Sequence, residues 1–81
     1  MATHVKRLSK LALQAEAAAA GLGESQVRHF RRMTARERAE NLSFAELEIH
    51  RLQGIGLFGI AKEEKLTELQ RRIDYLKKLS K

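Results

Sequence analysis

Apolar residues at the start of the chain recur at alternating intervals of three and four positions. Most of them are small, and the series runs Val5, Leu8, Ala12, Ala15, Ala19 and Leu22. This spacing places its members on one face of a helix and predicts an amphipathic helix over residues 4–20. Alanines on that face permit a neighbouring helix to approach closely, but each contributes little buried apolar area.

Gly21 predicts the end of this helix. Glycine readily adopts the left-handed backbone conformation that terminates many helices, and the small Ala17 four residues earlier allows two helices to cross closely. Apolar side chains that fit a tight corner follow the glycine, namely Leu22, Val27 and Phe30. The spacing predicts a helix-to-helix corner at Gly21 and a second helix over residues 24–33.

The second helix has two different sides on a helical wheel. Val27 and Phe30 define its inward side. The outward side is polar and cationic and carries Ser25, Arg28, His29 and Arg32, with Arg31 at its flank. This pattern is typical of a DNA-reading helix and also of a plain helical hairpin with a solvated basic face. The residues leave both interpretations open.

Residues 13–32 resemble the helix-turn-helix of DNA-binding regulators. The similarity is closest over residues 21–27, GLGESQV, which resemble the corner of lambda-type phage repressors, where a Gly, apolar, Gly run precedes the recognition helix. Glu16 occupies a place where that family usually has an apolar residue. The position of the corner near the start of the chain is similar to that in mercury-resistance regulators and phage excisionases. The resemblance implies a small DNA-binding regulator.

If the outward side faces DNA, its residues are expected to make different kinds of contact. Ser25 and Arg28 lie near the start of the helix and are best placed for base edges, because arginine can grip guanine with two hydrogen bonds. His29 offers a further contact on the same side. The cations expected to neutralise phosphates are Arg31, Arg32 and Arg36.

The region after the second helix contains two possible helix starts. Thr34 with Glu37 and Ser43 with Glu46 each match the capping-box pattern. Apolar positions up to residue 52 also share one broad face of a continuous helix, so one long bent helix and two or three short ones stay open. Residues 35–41 contain no large apolar side chain, which predicts an exposed helical stretch.

Three glycines interrupt the second half of the chain within residues 54–60, GIGLFGI. Glycine at this density makes a regular helix costly and predicts a turn or hinge. The bulky side chains between the glycines are Ile55, Leu57, Phe58 and Ile60. We expect them to plug the core where the chain reverses, and the alternative is that they dock a partner or a membrane interface.

Residues 61–81 read as a C-terminal helix. Its three-four spacing forms a packing seam of Leu66, Leu69, Ile73 and Leu76, with Tyr75 and Leu79 beside it. The seam packs either against the chain's own first helices or against a second copy. The resemblance to mercury-resistance regulators, whose C-terminal helices pair antiparallel, implies the second arrangement.

Composition narrows the fold class. The chain has 81 residues, no proline and only 5% aromatic residues, which suits helix and is poor for sheet. We therefore expect one all-α domain of three to four helices, made of a basic helical region (4–53), a glycine-rich turn (54–60) and the C-terminal helix. A domain of this size buries only about 60 to 65% of its unfolded surface, so a homodimer is expected.

The positive charge is concentrated in the first half. The formal net charge is +6; residues 1–38 carry eight Lys or Arg against three acids, whereas residues 39–81 carry eight against seven. The first half thus suits a polyanion, and nucleic acid is the leading candidate. The balanced second half suits protein contacts.

Catalytic chemistry is not indicated. The chain has no cysteine, and His4, His29 and His50 are far apart and lack metal-ligand companions. No run approaches the length of a membrane span. We expect a soluble, cytoplasmic protein that is not an enzyme and uses no cofactor or metal.

Three functions remain as hypotheses. The first is a small DNA-binding regulator that uses the arginine-rich helix over residues 24–33. The second is a helical adaptor or inhibitor that binds another protein through residues 54–79. The third is an RNA-binding component of a ribonucleoprotein, because an arginine-rich helix can lie in structured RNA without reading its bases.

Overall fold

The computed structural model describes residues 7–54 and 59–81. It contains four helices: α1 (Lys10–Ala20), α2 (Glu24–Arg32), α3 (Ala35–Gly54) and α4 (Ile60–Leu79). No strand occurs in these two ranges. The predicted all-α class with three to four helices is confirmed. Residues 55–58 of the predicted glycine-rich turn, including Phe58, lie outside the described residues.

The first helix is shorter than the sequence predicts. α1 begins at Lys10 because Ser9 caps it, and the Ser9 hydroxyl accepts a hydrogen bond from the Ala12 backbone N–H at 3.2 Å. Residues 7–9 are not helical. The predicted start at residue 4 is therefore wrong for these three residues, and residues 4–6 lie outside the described part of the chain.

The buried face of α1 also differs from the predicted one. The predicted seam members Ala12, Ala15 and Ala19 are exposed, whereas Leu13 and Ala17 are buried. Leu13 is the larger apolar side chain, and burying it turns the alanine seam toward solvent. The prediction of an alanine packing seam is thus wrong.

The corner after α1 forms as the sequence predicts. Gly21 adopts the left-handed conformation with φ 69° and ψ 31°. Its N–H donates to the Ala18 carbonyl at 3.2 Å, and the Leu22 N–H donates to the Ala17 carbonyl at 3.0 Å, the two bonds of a Schellman motif. A Cβ at position 21 would lie 2.9 Å from Nε of the exposed Arg71 side chain, which can move aside, so the backbone conformation is what favours glycine here.

The predicted capping box separates α2 from α3. The Glu37 N–H donates to Thr34 Oγ1 at 3.1 Å, and Glu37 Oε1 accepts from the Thr34 N–H at 3.0 Å. α3 then runs unbroken to Gly54. Of the two possible starts, only the one at Thr34 is used, and the chain continues through Ser43 as one helix because Leu42 and Ala45 keep one apolar face through that position.

Among the described residues, the core consists of two clusters that meet along α4. The corner cluster joins α1, α2 and α4 and contains Leu13, Ala17, Val27, Phe30, Tyr75, Leu76 and Leu79. The hairpin cluster joins α3 and α4 and contains Ala45, Leu69 and Ile73. Leu42 packs against both clusters and connects them.

The seam of α4 lies inside this core. Leu69, Ile73 and Leu76 are buried in the chain itself, and Leu66 is half-buried. Leu69, Ile73 and Leu76 are therefore covered without a second copy, so these three side chains are not an exposed surface for a dimer or an adaptor. Ile60 is 78% exposed, so the expectation that it plugs the core is wrong.

Candidate nucleic-acid interface

α2 presents the predicted cationic side to solvent. Its inward residues Val27 and Phe30 are fully or nearly fully buried. Ser25, Arg28, His29 and Arg32 are exposed, as the wheel predicts, and so is the acidic Glu24 in the first turn. The helix is held at its start by the glycine corner and at its end by the capping box of α3, so this nine-residue element has a fixed position on the core.

A cleft lies between the exposed side of α2 and the start of α1. It has a volume of about 570 Å³ and is lined by Arg7, Leu8, Lys10, Leu13, Arg28, Arg31 and Arg32. Five of the seven lining residues are cations and none is acidic. We call it the basic cleft. Such a concentration of one charge in a concave surface raises the local affinity for anions.

The basic cleft contains two residues that sequence reasoning did not assign to the site. Arg7 and Lys10 belong to the start of α1 and the segment before it. The sequence signal was only a run of positive residues, because nothing local shows that the corner folds them beside α2. Arg36, which was expected to contact phosphates, does not line the cleft. It lies on α3 and pairs with Glu40, with Nε to Oε1 at 3.4 Å.

Arg31 is held by an acid from α1. Its Nη1 lies 2.7 Å from Glu16 Oε2, and the two side chains are only 14% and 18% exposed. Glu16 Oε2 also accepts a hydrogen bond from the Tyr75 hydroxyl, and Glu16 Oε1 lies 3.7 Å from Lys78 Nζ. We call this group the Glu16 junction. It joins α1, α2 and α4 and fixes Arg31 in the wall of the basic cleft, where the charge of Arg31 is partly balanced by Glu16.

The junction shifts the titration of both acidic groups in it. Burial acts to raise the pKa of Glu16, but the hydrogen bond from Tyr75 and the charges of Arg31 and Lys78 together hold that pKa below its usual value. Burial, followed by the hydrogen bond to Glu16, raises the pKa of Tyr75 to about 12. At neutral pH the junction is a carboxylate that accepts bonds from a neutral phenol and a guanidinium.

Arg38 is a cation that the fold removes from the surface. It is 2% exposed, and its Nη1 donates to the carbonyl of Met33 and, at 3.4 Å, to that of Phe30. These carbonyls lie at the end of α2, where cationic donors compensate unpaired acceptors. Arg38 therefore joins α2 to α3, and the exposed stretch predicted over residues 35–41 contains one buried residue that its pattern did not indicate.

The remaining candidate groups do not form a site. His29 and His50 are exposed and lie on different helices. Within residues 7–54 and 59–81, no group of three His, Asp or Glu side chains is placed to hold a metal ion. None of the four helices combines the length and apolar character needed to cross a bilayer.

Comparisons with protein-family models, with curated proteins and with solved structures find no match to this chain. No relative therefore supplies a function. The geometry and charge of the basic cleft are the main support for a functional assignment, together with the resemblance at the glycine corner.

Proposed function

We propose that the chain binds duplex DNA through the exposed side of α2 and the basic cleft beside it. The observation that supports this most strongly is the convergence of five cations from two separate parts of the chain on one concave surface without an acid. Phosphate contacts from clustered Lys and Arg supply most of the affinity in protein–DNA complexes.

Under this proposal the residues have distinct roles. Ser25 and Arg28 lie in the first two turns of α2 and contact base edges in the major groove. Arg32, Arg7 and Lys10 contact phosphates on the flanking backbone. The Glu16 junction positions Arg31 at the cleft wall, so the cationic surface is formed before DNA arrives. A role in regulating transcription follows from the resemblance to helix-turn-helix regulators.

Fluorescence anisotropy with a labelled duplex, repeated at several salt concentrations, tests the proposal. We expect Arg28→Ala with Arg32→Ala to remove most of the affinity and to flatten its dependence on salt by about one unit of log–log slope, because Arg32 is the phosphate contact of the two. The control is Lys65→Ala with Lys77→Ala on α4, which removes the same charge from exposed positions outside the cleft. Equal losses in the two double variants, or salt-independent binding, would contradict the proposal.

Competition between nucleic acids separates DNA from RNA. A structured RNA hairpin presents a deep, narrow major groove that a helix does not read, so the duplex is expected to be the better competitor. A tighter complex with the hairpin would replace the DNA assignment with RNA binding through the same cleft.

A further inference from the structure

The outward face of α3 carries apolar side chains that the fold leaves uncovered. Phe44 is 69% exposed and Leu47 is 65% exposed, although both are large. They line a shallow depression of about 340 Å³ together with Arg36, Ala39, Glu40 and Ser43. The opposite face of α3 packs on α4 through Ala45 and its neighbours, so this depression lies on the side away from the core.

The exposed apolar residues belong to an ordered stripe. At about 100° per residue, Glu40, Phe44, Leu47 and Arg51 fall within an arc of about 60° on α3. The stripe therefore reads acid, aromatic, aliphatic and base along one side of the helix. We call it the α3 stripe.

We propose that the α3 stripe binds a second copy of the same chain, with the two α3 helices antiparallel. A two-fold axis between positions 45 and 46 places Phe44 opposite Leu47 of the second copy and Glu40 opposite Arg51 of the second copy. Both pairs then occur twice, as a self-complementary interface requires. A parallel pairing would instead place like charges together at both ends of the stripe.

The surroundings of the stripe suit this arrangement. Ala39 and Ser43 lie beside it on α3 and leave room for a helix to approach. Glu40 and Arg51 already make pairs within their own helix, with Arg36 and Glu48, but these pairs are exposed. Exposed pairs of this kind contribute little and can be exchanged for pairs across an interface.

The dimer also adds buried apolar surface, which is limited in a core of this size. The described residues bury ten hydrophobic side chains, and the hairpin cluster accounts for only three of them. Covering Phe44 and Leu47 adds apolar burial on the outer face of α3, the face opposite the hairpin cluster. The proposal stands independently of DNA binding, because none of the residues of the α3 stripe lines the basic cleft.

Sedimentation equilibrium of the full chain over a range of concentrations tests the interface. We expect a reversible dimer for the natural sequence. Glu40→Arg alone and Arg51→Glu alone each place like charges opposite each other twice, and each is expected to weaken the dimer about ten- to a hundredfold. Glu46→Arg, an exposed change on another side of α3, is expected to leave the dimer unaffected.

Mixing the two single variants provides the decisive measurement. A copy with Glu40→Arg and a copy with Arg51→Glu restore two attractive pairs, so the mixture is expected to form a heterodimer that each variant alone forms poorly. Because both proteins are checked as folded helices by circular dichroism, loss of folding cannot imitate this result. The proposal would be overturned if the natural chain stayed monomeric at every concentration. It would also be overturned if the mixed variants formed a dimer no tighter than the dimer of either variant alone.

Discussion

The two ends of the molecule are built in different ways. The corner end joins α1 and α2, of 11 and 9 residues, to the last turns of α4, and combines two aromatic rings with the Glu16 junction. The hairpin end joins two 20-residue helices through small or aliphatic side chains, three of them fully buried and three half-buried. Short helices have only marginal stability in isolation, so the corner end depends on dense packing and specific polar contacts. The long helices of the hairpin end are stable with a simpler apolar seam.

The solvent-exposed surfaces of the two ends also differ. The corner end exposes cations around the basic cleft, and the hairpin end exposes the apolar Phe44 and Leu47 of the α3 stripe. The Glu16 junction lies beneath the basic cleft and holds the cationic wall of the cleft in one geometry. A ligand with fixed charge spacing requires a wall of fixed geometry. A plain aliphatic seam is sufficient beneath a surface that a second helix would cover.

The largest effect is expected from shortening one leucine of α4 in each cluster. Leu76 is completely buried in the corner cluster, and Leu69 is 2% exposed in the hairpin cluster. We expect Leu76→Ala to lower the free energy of unfolding by about 3–5 kcal/mol and Leu69→Ala by about 2–3 kcal/mol, because the ring-lined corner collapses less easily around a cavity. Urea denaturation measures both. An equal or larger loss for Leu69→Ala would contradict the difference between the ends.

A smaller effect is expected from replacing one carboxylate at each end. Glu16→Gln points an amide donor toward donors of the half-buried junction and is expected to cost about 1–3 kcal/mol. Glu68→Gln removes an acid of α4 whose side chain is 46% exposed and which pairs with Arg72 at 2.6 Å. That pair is expected to contribute less than about 1 kcal/mol. Similar losses in the free energy of unfolding for the two variants would show that the Glu16 junction stabilises the fold no more than an exposed ion pair does.

The same pair of variants predicts a difference in pH dependence. Because the folded-state pKa of Glu16 is lowered, its contribution is present above the unfolded pKa near 4.5 and is lost as the pH falls through the lowered value. Tyr75 has a raised pKa, so its contribution is lost between pH 10 and about 12. Glu16→Gln is expected to reduce the acid-dependent loss of stability, and Glu68→Gln to preserve it. Thermal unfolding at a series of pH values checks this.

The smallest effect is expected at two glycines that end helices. Gly21→Ala forces a side chain into a left-handed conformation and toward Arg71, and is expected to cost about 1–2 kcal/mol. Gly54→Ala, at the end of α3, meets no described atom within 4 Å and is expected to change stability by less than about 0.5 kcal/mol. Thermal melts of both variants measure the difference. Tolerance of alanine at both positions would show that the corner is not constrained by Gly21.

Local signals in the sequence were sufficient for the fold class and for several boundaries. The left-handed Gly21 and the capping box of Thr34 and Glu37 each act within a few residues, so their chemistry is visible in the sequence. The inward side of α2 was also predicted, because Val27 and Phe30 are large and set its orientation. The inward side of α1 was not, because alanines give a weak orientation signal that Leu13 outweighs.

Long-range contacts explain most of what the sequence did not show. Tyr75 reaches Glu16 across 59 residues, and no local pattern indicates that a phenol and a carboxylate will meet. Arg38 resembles the other exposed cations of its helix until the end of α2 is placed against it. For the same reason the basic cleft includes Arg7 and Lys10, which the sequence did not indicate, and does not include Ser25, His29 or Arg36.

Tyr75 also gives the corner end an optical signal of its own. It is the only tyrosine of a chain without tryptophan, and its ring centre lies 6.3 Å from that of Phe30. The intrinsic ultraviolet emission of the protein therefore originates beside a carboxylate at the meeting point of three helices. Loosening of the corner end changes this emission without any attached dye. Opening of the far end of the hairpin leaves the emission unchanged.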